Sequence, residues 1–162
     1  MEGPSVPSPP SLRLLDVAES GELLTLQRAA YVTEAQLYGD VWLPALVQTL
    51  PELLAELTAA SCLGAWLGSR LVGAVRMRED DGVQHIGRLT VAPDLQGQGI
   101  GSRLLAAAEA MTRLPRATLF TGARSTANLR LYERCGYVES SREELRPGVE
   151  LVYLVKQLAG TR

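Results

Sequence analysis

Several features are scarce or missing, and each absence narrows the reading. Cysteine is nearly absent: Cys62 and Cys135 are far apart and in no metal-ligand spacing. That argues against a disulfide framework or a metal site and for two free core thiols in a reducing cytoplasm. No apolar run approaches the roughly 20 residues that span a bilayer, since Glu, Arg, Gln or Asp interrupts each one, so no membrane association is expected. The opening MEGPSVPSPP lacks both a basic and an apolar segment and reads as a disordered leader over 1–10, not a signal peptide. There is no internal repeat, and His85 is the only histidine. The net charge of −2 gives no electrostatic case for nucleic acid.

At 162 residues and 46% apolar, the chain can bury one core and is too short for two domains, so a single domain over 11–162 is expected. Its charge is uneven. Residues 1–60 carry eight acids against Arg13 and Arg28, whereas 95–132 carry five arginines against Glu109. The basic stretch suits a phosphorylated ligand and the acidic one a cationic partner.

Patterning predicts a first strand near 11–15, then a helix opened by Asp16 and Glu19 and broken at Tyr38, Gly39 and Asp40. A second helix has Pro51 in its first turn and Leu53, Leu54 and Leu57 on one face. Runs 62–67 and 71–77 read as a β-hairpin, and 85–91 as a third member. Leu104, Leu105, Ala108 and Met111 have helical spacing up to Pro115, and 117–120 is a buried strand. Ser125 is the expected N-cap of a helix carrying Leu129 and Tyr132, with Gly136 as its left-handed end, before two last strands turned at Pro147 and Gly148. The order describes an α/β sheet with mixed strand directions.

The most informative stretch is Gln96-Gly97-Gln98-Gly99-Ile100-Gly101-Ser102-Arg103, where a strand passes through a proline turn into three glycines and a helix. Glycines let the backbone approach a ligand closely. The first helical turn leaves about four N–H groups unpaired, and the helix dipole adds about half a positive charge, so a phosphate is the natural occupant. Arg103 adds a possible charge-assisted contact. A P-loop is disfavoured because Gly101 is followed by Ser102 and Arg103, not by Lys and Ser or Thr. A dinucleotide fold is disfavoured because the turn follows three strands in mid-chain.

This glycine run resembles the cofactor motif of the GNAT N-acetyltransferase family, and Leu89-Thr-Val-Ala-Pro before it resembles that family's fourth strand and turn. Asn128-Leu-Arg-Leu-Tyr132-Glu-Arg-Cys-Gly136-Tyr137 resembles a later family helix end. The resemblance implies a mixed sheet of about seven strands, splayed between the fourth and fifth, with acetyl-CoA as cosubstrate. By resemblance, the diphosphate rests on the amides of Gln98, Gly99, Ile100, Gly101 and Ser102 after Gln96. The pantetheine arm lies along Leu89 and Val91, and a backbone N–H near Leu89 steadies the oxyanion. The later helix shows Tyr132, as acid for the departing thiolate, and Asn128 to the cofactor. Many relatives carry Asn where this chain has Ser125, so either Asn128 takes over that role or Ser125 only caps the helix.

The acceptor amine needs a base. His85, on the strand where some relatives place a glutamate, is the first candidate, Glu34 the second, and a water chain with no dedicated side chain the third. Tyr31, Glu34, Tyr38 and Trp42 combine aromatic faces with negative charge, which suits a cation. Arg88 on the fourth strand points instead to a carboxylate-bearing amine. The implied activity is acetyl transfer to a primary amine of a small molecule or protein in a ternary complex. The alternatives are a non-catalytic acyl-CoA sensor and a nucleotide-binding module. Family members often pair, so a homodimer is also an expectation.

Overall fold

The computed structural model describes Gly3 and residues 8–158. Most of the expected leader therefore lies outside the described residues. The elements, in chain order, are β1 (Ser11–Leu14), α1 (Ser20–Tyr38), α2 (Pro44–Val47), α3 (Leu50–Ala59), β2 (Ser61–Leu67), β3 (Arg70–Asp80), β4 (Val83–Val91), α4 (Ile100–Ala110), β5 (Arg116–Gly122), α5 (Thr126–Arg134), β6 (Val138–Arg146) and β7 (Val149–Gln157). The seven strands form one sheet in the order β1-β2-β3-β4-β5-β7-β6. Every neighbouring pair is antiparallel except β4 and β5.

Local chemistry sets the helix ends. Asp16 accepts from the N–H of Ala18 and Glu19 accepts from the N–H of Asp16, a capping box on the 3-10 turn that leads into α1. Gly39, at φ 61°, closes α1 in the left-handed conformation. A second box, Thr49 with Glu52, opens α3 at Leu50, which makes Pro51 the second residue of the helix. The four-residue α2 had no counterpart in the sequence pattern.

The core lies between the sheet and its helices. On α4, Ile100, Leu104, Leu105 and Ala108 are buried at helical spacing. Each leucine contributes about 1.5–3 kcal/mol by leaving water. Gly73 of β3 lets α4 come this close, since a Cβ there would stand 2.9 Å from Leu104 Cδ1. A polar network packs on the other face: buried Arg76 donates to Glu56 at 2.8 Å and also to Gln27, whose amide donates to the Ala45 carbonyl at 2.8 Å. It ties β3 to α1, α2 and α3. Glu22 accepts from the Leu71 N–H at 2.9 Å, and Asp40, just past α1, pairs with Arg146 at the β6–β7 turn. The edge strand β6 is exposed throughout and carries two register breaks, which blunt it against pairing with another chain.

Candidate active site

Strands β4 and β5 pair only at Gln84 with Ala117 and His85 with Thr118. Beyond that point β4 stays with β3 as far as Val91, and β5 stays with β7 as far as Gly122. The sheet therefore opens into a V whose two inner edges face each other. Such edges offer main-chain donors and acceptors to an extended guest.

A bulge shapes the β4 side. Arg76 pairs with Gly87 and Ala74 with Thr90, so Arg88 and Leu89 together oppose Val75 alone. Arg88 adopts φ 49°, left-handed for a residue with a Cβ and costly by about 1–3 kcal/mol. The Leu89 and Val91 side chains pack under the start of α4, within 4 Å of where a Cβ on Gly101 would stand. Their side chains serve the core while their backbone lines the opening.

At the mouth of the V, Gly97 and Gly99 take φ 76° and 85° and turn the chain into α4. The first bond of that helix runs from the Arg103 N–H to the Gly99 carbonyl at 3.1 Å. Among the described residues, the N–H groups of 98–102 have no acceptor. A cluster of orphan donors at a helix start fits a diphosphate, and the opened strands beside it fit an extended tail. Arg103 is exposed, and its guanidinium donates to the Pro10 carbonyl at 2.9 Å.

The opposite wall comes from α5 and α1. Tyr132 is 6% exposed, its ring edge-on to Tyr137 at 6.2 Å, and its hydroxyl makes no hydrogen bond among the described residues. Burial, with Tyr31 and Glu34 nearby, holds its pKa well above the ordinary phenol value. The group stays protonated at any working pH and can donate. Burial likewise raises the pKa of Tyr31, against the opposing pull of Arg88.

Glu34 accepts from Ser125 Oγ at 2.5 Å and from Asn128 Nδ2 at 3.4 Å, and Asn128 also donates to Thr121 Oγ1 at 3.3 Å. Ser125 does stand at the N-cap of α5, its carbonyl accepting from the Leu129 N–H at 3.0 Å, but its side chain makes no cap bond and is turned to Glu34. Tyr38 Oη accepts from the Arg124 N–H at 3.1 Å, with the Arg124 guanidinium 5.6 Å from its ring centroid. The Arg88 guanidinium lies 5.8 Å from the centroid of Tyr31.

The fold therefore gathers Tyr31, Glu34, Arg88, Asn128 and Tyr132. His85 stands at the base of the V, half-buried, with no side-chain hydrogen bond among the described residues. Gln98 is exposed on the turn, next to the orphan donors that Gly99, Ile100, Gly101 and Ser102 contribute, and Gln96 precedes it. Trp42 is 77% exposed past the end of α1. Sequence reasoning passed over Thr121 and Arg124 and read Ser125 only as a cap. No local pattern signals a Ser–Glu contact spanning 91 residues.

The acetyltransferase (GNAT) domain family matches residues 31–158, and the chain belongs to that family. It is an acetyl-CoA-dependent N-acetyltransferase. A curated relative, the S-(2-succino)cysteine N-acetyltransferase of Bacillus subtilis (strain 168), is 28% identical over 161 residues, covering 92% of this chain and 96% of the relative. The fold matches the PaiA N-acetyltransferase of Thermoplasma acidophilum in complex with coenzyme A at TM-score 0.79 and 19% identity, covering 93% and 99% of the two chains. It also matches YncA of Salmonella typhimurium, a putative acetyltransferase with acetyl-CoA, at TM-score 0.72 and 16% identity, over 94% and 95%.

Proposed function

We propose that this chain transfers the acetyl group directly to the primary amine of a small amino-acid-like acceptor bound between α1 and the opened strands. The observation that carries the reading is the row of N–H donors at 98–102, without acceptors among the described residues, beside the V, together with the Tyr132 hydroxyl, which has no partner among them either. The name of the Bacillus subtilis relative, an N-acetyltransferase of an S-substituted cysteine, supports an amino-acid acceptor.

Acetyl-CoA supplies an acetyl group already activated as a thioester. The chain's own residues do the rest. The N–H groups of 98–102 hold the diphosphate, and the backbone of Leu89 and Val91 steadies the arm along the inner edge of β4. The main-chain N–H beside the bulge is placed to polarise the carbonyl oxygen. Tyr132 donates its proton to the departing sulfur. Glu34, oriented by Ser125 and Asn128, takes the proton that the amine must lose, with His85 the second candidate.

The reading is tested by following thiol release from acetyl-CoA with a panel of primary amines, and by product mass. Amine-dependent release with one acetyl on the product nitrogen is expected. Release that ignores the amine, or an enzyme that carries the acetyl group itself, overturns direct transfer.

A further inference from the structure

We infer that the acceptor carries a carboxylate and that Arg88 is the residue that reads it. This rests on the transferase reading above and names the acceptor's chemical class.

The acidic surplus of the first sixty residues does not form a cation-binding wall. Asp16, Glu19 and Glu52 are spent in capping boxes. Glu56 and Asp40 are paired with Arg76 and Arg146, and Glu22 accepts from a β3 amide. The remaining described acid, Glu34, is held by Ser125 and Asn128. Arg88 behaves differently. Arg88 forms no ion pair among the described residues, is half-buried, and has the face of Tyr31 beside it. A guanidinium in that state presents a planar fork to a carboxylate, which a lysine does not.

Two further observations agree. Glu34 lies three residues after Tyr31 on α1, on the same helix face, so Arg88 and Glu34 both stand near one ring. A positive and a negative group beside a single aromatic suit the carboxylate and the amine of one small amino acid. Arg88 also holds a left-handed φ of 49° that glycine adopts without strain. The bulge alone does not call for an arginine, so its side chain is the reason the strained position carries one.

Full-length protein is assayed with acetyl-CoA and S-carboxymethylcysteine, or its fully amidated counterpart. The wild-type chain is expected to favour the carboxylate form by about a hundredfold in kcat/KM, and Arg88→Gly to collapse that ratio toward unity. Arg88→Lys should recover only part of it. Melting of Arg88→Gly should match or exceed the wild type, because glycine relieves the backbone. A wild type indifferent to amidation, or a variant that loses both acceptors in equal proportion, overturns the inference while leaving acetyl transfer standing. If no amine at all is acetylated, the transferase reading falls. Calorimetry of S-carboxymethylcysteine on coenzyme A-loaded protein then decides the inference separately: binding lost in Arg88→Gly supports it, and equal or absent binding in both proteins overturns it.

Discussion

Tyr132 and Glu34 reach one site from helices almost a hundred residues apart in sequence, and each makes a separable prediction. Burial keeps the Tyr132 hydroxyl protonated, so Tyr132→Phe removes a proton donor without disturbing the donors at 98–102. Turnover should fall by about 10²–10⁴, the usual worth of a placed acid, while KM for acetyl-CoA moves little. Unchanged turnover in steady-state assays would take Tyr132 out of the mechanism. The two base candidates part in the pH dependence of kcat/KM. Glu34→Gln should abolish the acidic limb and His85→Ala should keep it, and the opposite pattern transfers the role to His85. Ser125 is the residue whose sequence reading held for its position and not for its side chain. A serine ahead of a helix is a good cap on local grounds, but a carboxylate 2.5 Å away from α1 captured it.

At the scale of elements, the glycine turn and the start of α4 behave as one device, and its glycines are unequal. Gly99 has φ 85°, so Gly99→Ala strains the turn by about 1–2 kcal/mol and re-aims the donors. Acetyl-CoA KM should rise at least about tenfold in initial-rate assays. Gly101 lies inside the helix, and an added Cβ is tight only against the tip of Leu131 at 3.2 Å, with Leu89 and Val91 at ordinary contact distance. Gly101→Ala should therefore cost under about 1 kcal/mol in urea unfolding, since a flexible leucine end can yield. The turn was legible because three glycines after a strand announce themselves. The bulge at Arg88 was not, because it exists only in the register between β4 and β3. The hairpin of β2 and β3, Gly39 and Gly136 were legible from short-range chemistry, whereas α2 is four residues held by the Gln27 amide.

Across the whole molecule, two sets of titrating groups bound stability. Burial raises the pKa values of Tyr132 and Tyr137, the latter also donating to Glu109 at 3.0 Å. A raised phenol pKa means the folded state keeps protons that the unfolded chain releases. That contribution is intact below about pH 10 and is lost as pH rises beyond it. On the acid side, the hydrogen bonds from Arg13 hold Glu19 down to about 2, a contribution present above the ordinary carboxylate range and lost as pH falls toward that value. Glu19 lies on the surface, where solvent screens the pair, so the acid effect is the weaker. Urea midpoints measured across pH should fall more steeply above pH 10 than below pH 4. A larger loss on the acid side contradicts this ranking. The apolar runs did predict a mixed α/β sheet, because the periodicity of buried side chains is written along the chain, and the family resemblance implied its seven strands.

What the sequence determined by itself was therefore local: helix ends, strand periods, and a glycine-rich helix start that leaves donors unpaired. These depend on neighbours within about one helical turn. The tertiary structure alone decided how charge is used. It committed the described acids of the first sixty residues to partners within the chain, turned the Ser125 side chain to clamp Glu34, and left Arg88 beside Tyr31 without a counter-charge among the described residues. Coulombic and hydrogen-bond partners are chosen by distance in space, and no spacing along a chain encodes which acid will meet which base.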